Sequence, residues 1–107
     1  MRVLEYLDRA GKSPFADWFN GLDAQAAAKV TVAIGRVGQG NLSNAKAIGG
    51  ALFEFRIDFG PGYRIYFGRH GDEIVVLLAG GTKKRQQDDI EVAQARWADY
   101  RQRTKER

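Results

Sequence analysis

The stretch from Leu52 to Gly81, LFEFRIDFGPGYRIYFGRHGDEIVVLLAGG, restricts the fold more than any other part of the chain. In LFEFRID, Phe53, Phe55 and Ile57 alternate with Glu54, Arg56 and Asp58, the period-two pattern of a strand with two unlike faces. FGPG is a turn cluster. In YRIYFG, Tyr63, Ile65 and Phe67 share one face, and Arg64 and Tyr66 share the other. RHGD marks a second turn and carries His70. EIVVLLA is a continuous apolar run, the pattern of a central strand covered on both faces. Three strands joined by short turns predict an antiparallel meander.

The flanking segments read as one strand and three helices. RVLEYL is a first strand. In GKSP, Ser13 can cap a helix whose first turn takes Pro14. Phe15, Trp18, Phe19 and Leu22 then lie on one helical face. Gly21 ends that helix and Asp23 caps the next, where Ala27, Val30, Ile34 and Val37 recur at helical spacing. Gly38 and Gly40 end it. NLSNAKAIGGA is polar and glycine-rich and is predicted to be a loop. After GGTKKRQQ, Ile90, Ala93, Trp97 and Tyr100 form a last helical stripe. Asp88, Asp89 and Glu91 sit in its first turn and Arg101, Arg103 and Lys105 near its end, as the helix dipole favours. The predicted order is β-α-α-β-β-β-α. That is an α+β architecture: a small antiparallel sheet packed by an N-terminal helical hairpin plus a C-terminal helix.

The 107 residues are expected to form a single domain, 1–107. There is no cysteine and one histidine, which excludes disulfides, thiolate metal sites and multi-histidine metal sites. No cofactor is expected. The start MRVLEYLDRAGK lacks the apolar run of a secretory signal, and no stretch approaches the ~18 apolar residues of a membrane span. A cytoplasmic location is the expectation. The net charge is +4, and residues 83–107 hold eight Lys/Arg against five Asp/Glu. Such a balance permits an anionic partner without requiring one.

Pairing across the FGPG turn places Arg56, Arg64 and Tyr66 on one side of the sheet. The third strand then leads into Lys83, Lys84 and Arg85. Guanidiniums grip phosphates bidentately and aromatic rings stack on bases, so this grouping suits an RNA strand. The plainer alternatives stay open. Arginines on a sheet face are commonly just solvated, with Glu54 and Asp58 paired to Arg56, and Lys83–Arg85 reads equally as a solvated loop before a helix. His70 is expected to be exposed and idle.

The stretch E-x-R-I-D-x-G-P-G-Y-R-I-Y-F, followed by LLAGGTKKRQQDDIEVAQARWADY and preceded by GKSPFADWF, resembles the RelE/ParE toxin superfamily. Its nearest branch looks like the HigB-like addiction module killer proteins. The likeness spans nearly the whole chain. It implies the toxin of a type II toxin–antitoxin system, a metal-independent mRNA endoribonuclease that in many relatives works on the ribosome. Carried over by position, Arg64 matches the arginine that holds the scissile phosphate. Arg56 matches a strand lysine. Lys84, with Lys83 beside it, matches an arginine after the last strand. Arg64, Arg56, Lys84 and Tyr66 are therefore the candidate catalytic residues; Lys83, Arg85, Glu54 and Tyr63 are candidate RNA-binding residues.

Two positions depart from the RelE pattern. Glu54 stands where RelE has a second strand lysine, and Gln-Gln-Asp-Asp stands where it has a tyrosine. Tyr66 can replace that ring, or Tyr100 if the last helix folds back. Glu54 is either a base or an inert ion-pair partner. The resemblance implies a cognate antitoxin, a small helix-turn-helix protein encoded nearby, and operator DNA contacted only through it. Two alternatives come with the superfamily: a ParE-like inhibitor of DNA gyrase, or a degenerate chain that only binds its antitoxin.

Overall fold

A computed structural model describes residues 1–105. In chain order it contains β1 (Arg2–Glu5), α1 (Pro14–Asn20), α2 (Ala24–Gly38), β2 (Ala45–Gly49), β3 (Leu52–Ile57), β4 (Tyr63–His70), β5 (Ile74–Thr82), a single 3-10 turn (Lys83–Arg85) and α3 (Gln86–Lys105). The strands form one sheet in the order β1-β5-β4-β3-β2. The meander β3-β4-β5 is antiparallel as its turns predict. No helix among the described residues is long and apolar enough to cross a membrane.

The helix starts follow the sequence signals. Ser13 accepts from the Ala16 amide at 3.0 Å and Asp23 from the Ala26 amide at 2.9 Å, each satisfying an otherwise orphaned N–H. Helices α1 and α2 pack on one face of the sheet, burying Phe15, Val30 and Val37 against Phe55, Ile65, Phe67 and Val75. The other face is covered by α3, whose Ala93 and Trp97 pack on Tyr66, Val76 and Leu78. Strand β5 lies beneath both layers, which is why its apolar run is unbroken.

Three features depart from the expectation. The segment expected as a loop contains β2, an edge strand paired with β3. Its register shifts between Ala47 and Gly49, so no period-two signal survives in AKAIG. Gly49 and Gly50, at φ 119° and 45°, make a turn that side-chain-bearing residues rarely adopt. Strand β1 pairs with β5 in parallel rather than antiparallel fashion. Lastly, β5 carries a bulge: Tyr66 faces Ala79 and Phe67 faces Leu77, so Leu78 is extra. The Arg96 guanidinium donates to the Leu78 carbonyl at 2.8 Å.

The bulge sets which helix each following residue meets. A Cβ on Gly80 would lie 2.2 Å from the Trp18 ring of α1, and one on Gly81 would lie 1.9 Å from the Asp89 carboxylate of α3. Both helices thus approach the sheet where glycine leaves room, one on each face. Gly68 does the same for Trp97, whose ring lies 2.4 Å from the position of a Cβ.

Candidate nucleic-acid interface

Arg56 and Arg64 are direct cross-strand partners, so they share the α3 side of the sheet, with Glu54 and Tyr66 paired one position along. The FGPG turn is the organising point. The Gly62 carbonyl accepts from the Lys83 amide at 2.9 Å and from Arg64 NH1 at 3.0 Å. A Cβ at Gly62 would lie 3.4 Å from that guanidinium and 3.5 Å from the Lys83 Cβ. One carbonyl therefore holds the end of β5 and the arginine of β4 together. Lys83, Lys84 and Arg85 all point into solvent from the 3-10 turn, and Arg56 is exposed as well.

The inner part of this surface is covered. Arg64, Tyr66 and Glu54 are buried, at 3%, 0% and 1% exposure. Arg64 Nε lies 3.6 Å from Glu54 Oε1, an ion pair without a hydrogen bond, while Gln86 at the start of α3 donates to Glu54 Oε2 at 2.8 Å. Arg56 makes no ion pair among the described residues, so the expected pairing of Glu54 with Arg56 is corrected: Glu54 belongs to Arg64. The first turn of α3 provides the cover. It leaves buried polar atoms unpartnered: Arg64 Nε, Tyr66 Oη and Asp89 Oδ2. Each such atom costs on the order of 1–3 kcal/mol.

Electrostatics follow from that burial. Desolvation, reinforced by Glu54 and Asp89, pushes the Tyr66 phenol well above its ordinary range, so it stays neutral. Desolvation likewise raises Asp89, with Arg85 opposing and Asp88 adding to the shift. Tyr66 in this closed arrangement does not present its ring to a base. Tyr100 does not take its place either: α3 folds back over the sheet, but Tyr100 stacks on Trp97 beside Gly50 and His70, at the opposite end of the strands from the FGPG turn.

Tyr63 lies on the other side of the sheet from Arg64. It packs edge-on to Trp18 and stacks on Phe59 at 6.5 Å, with Lys29 Nζ 5.4 Å over the Phe59 ring. His70 is exposed at the end of β4. The structure thus brings Arg56, Arg64 and Lys83 to one end of the sheet, with Lys84 and Arg85 following in the same turn. It separates Tyr63 from them and encloses Tyr66 and Glu54. Gln86, which fastens Glu54, was not legible in the sequence, because a glutamine in the first turn of a helix is unremarkable until its partner is known.

The profile of the family described as phage derived protein Gp49-like matches residues 17–100. The chain belongs to the Gp49-like family. This is a RelE/HigB-like toxin–antitoxin family, in agreement with the resemblance carried by the GPGYR stretch, and it implies an antitoxin as partner. The chain is also similar to an uncharacterized protein of Haemophilus influenzae (strain Rd), with 39% identity over 80 residues that cover 74% of this chain and 81% of that protein. The Gp49-like match begins inside α1 and ends at Tyr100, so it spans all the elements that build the FGPG end of the sheet.

Proposed function

We propose that this Gp49-like chain is the toxin of a type II toxin–antitoxin pair, in the HigB-like branch. It cleaves mRNA in the cytoplasm, on the ribosome and without a metal ion. The observation that carries this reading is the convergence on Gly62: Arg64 and Lys83 are tied to one carbonyl, and Arg56 stands across the strand from Arg64. Fixed positive charge held by backbone geometry suits a phosphorane, whose charge grows in the transition state.

In the proposed reaction the ribose 2′-oxygen forms a bond to the adjacent phosphorus and its proton passes to solvent. The bond from phosphorus to the 5′-oxygen breaks. That oxygen takes a proton from the Lys84 ammonium, which solvent restores, leaving a 2′,3′-cyclic phosphate. Arg56 and Arg64 hold the non-bridging oxygens. Glu54 is a positioning residue that keeps the Arg64 guanidinium turned to the Gly62 end. Arg64 reaches the phosphate when the first turn of α3 lifts; the single Gln86 hydrogen bond and the unpartnered atoms beneath it make that cover weakly fastened.

Inducing the chain in bacterial cells without its antitoxin tests the reading. Growth is expected to stop, and primer extension is expected to find new 5′ ends within messages. Growth arrest with intact transcripts and lost DNA supercoiling overturns it in favour of a gyrase block. Unimpaired growth leaves only antitoxin binding.

A further inference from the structure

Among the described residues, unpaired positive charge extends beyond the Lys83–Arg85 turn at the FGPG end. A cleft of about 700 Å³ runs between α2 and the β2–β3 edge of the sheet. Lys29 and Arg36 line the α2 wall. Lys46 and Arg56 belong to the strand rim, where register with Glu54 and Arg64 sets their side chains on the α3 side, and Asp58 is the only acid among the lining residues. None of these four cations forms an ion pair among the described residues. Arg103 near the C-terminus differs, since it engages Asp99, as does Arg9.

We propose that this cleft binds the phosphate backbone of single-stranded RNA, carrying the strand that flanks the phosphate held at Arg64. This inference rests on the RNA reading of the preceding section. Three observations favour a polynucleotide as occupant. Lys29 and Arg36 are seven residues apart on α2, hence on one face and about 10 Å apart along its axis, a row of charge and not a point. Arg56 stands at the rim of the cleft and is the cross-strand partner of Arg64, so a polyanion passing round the β2–β3 edge can reach both surfaces. Lys29 lies over the Phe59 ring, which stacks on Tyr63, a ring-plus-cation grouping next to the cleft of the kind on which bases stack. An amphipathic acidic helix is the poorer fit. It needs an apolar groove to enter, and of the cleft's apolar lining only Val32 is well exposed, whereas Ala33 and Phe55 are 3% and 2% exposed beneath the chain's own packing.

The test is fluorescence anisotropy with a labelled 12-nucleotide RNA made uncleavable by 2′-O-methylation, titrated at several salt concentrations. The unmodified protein is compared with Lys29→Ala/Arg36→Ala and with Lys46→Ala. All three positions are exposed, and thermal unfolding checks that the variants stay folded. The double variant is expected to bind about tenfold more weakly, and its log K against log salt slope is expected to flatten by about 1.4, the loss of two phosphate contacts. Lys46→Ala is expected to flatten it by about 0.7. An unchanged slope in both folded variants overturns the inference. So does a 12-residue polyglutamate peptide that displaces the RNA at equal concentration, which assigns the cleft to an acidic protein segment. If the cleft variants cleave message normally and keep their slopes, the cleft assignment fails while the nuclease stands. If the slopes flatten but the unmodified protein cuts no message, the cleft stands and the nuclease fails.

Discussion

The Glu54 carboxylate lies 3.6 Å from Arg64 Nε, with both side chains all but excluded from water at 1% and 4% exposure. Two opposite charges buried together are costly to separate by mutation, because the survivor keeps its desolvation cost and loses its counter-charge. Arg64→Ala is therefore expected to lose about 3–5 kcal/mol of stability in urea unfolding. That loss confounds any reading of its activity. Arg64→Lys keeps the charge and gives up the planar fork. It is expected to fold and to cut RNA at least about 100-fold more slowly. Full activity in folded Arg64→Lys removes the phosphate-holding role.

Lys83 and Lys84 are adjacent but not equivalent. The Lys83 amide is bonded to Gly62, and its Cβ lies against the same turn as the Arg64 guanidinium, while no such contact fixes Lys84. A side chain whose root is fixed loses less freedom on gripping a phosphate. Lys83→Ala is expected to weaken binding of an uncleavable RNA more than Lys84→Ala does. Lys84→Ala is expected to act on the cleavage rate instead, by about tenfold or more, in single-turnover measurements. His70→Ala is expected to leave both unchanged, since that imidazole stands in solvent near the far end of the sheet. Equal effects of the two lysines on binding and rate would dissolve the distinction.

Gly68 lets Trp97 of α3 approach the sheet closely. The ring lies 2.4 Å from where a Cβ would stand, far inside van der Waals contact. Gly68→Ala is expected to destabilise by about 1–3 kcal/mol through overpacking. Combining it with Trp97→Leu, which vacates ring volume, is expected to cost less than the two changes added separately. A double-mutant cycle in urea reads the coupling. Additive costs would mean that α3 simply shifts to accommodate the methyl.

Much of this architecture is legible before any coordinates. Ser13 and Asp23 announce the helix starts because short acceptors before apolar-periodic runs have few other uses. The alternation in LFEFRID and YRIYFG fixes which side chains share a face. The bulge at Leu78 is not legible, because an all-apolar run carries no phase to break. Strand β2 escapes for a related reason, its register shift erasing the alternation in AKAIG. Pattern places Arg64 and Tyr66 on one face, but whether a face is open depends on where α3 lies, and that is a packing outcome. Charge counting fails similarly: it weights the C-terminal quarter, where Arg103 is paired with Asp99, and gives no sign that Lys29 and Arg36 stand unpaired on one face of α2.

Asp99 also sets an acid limit on stability. Its carboxylate accepts from the Tyr6 hydroxyl at 2.6 Å and lies 2.8 Å from Arg103 and 3.3 Å from Arg9, tying α3 to the chain just beyond β1. The Tyr6 hydrogen bond, helped by both guanidiniums, lowers its pKa in the folded protein. An acid whose folded pKa is depressed binds protons more readily when unfolded. Its contribution is therefore present above the unfolded value of about 3.9 and fades as pH falls through the lower folded value. Asp99→Asn is expected to be less stable than the unmodified protein at pH 7, and the difference is expected to shrink steadily below about pH 4. Urea unfolding across pH 7 to pH 2 measures it. A gap that stays constant down to pH 2 would show that Asp99 acts only as a neutral hydrogen-bond acceptor for Tyr6, with no share from its charge.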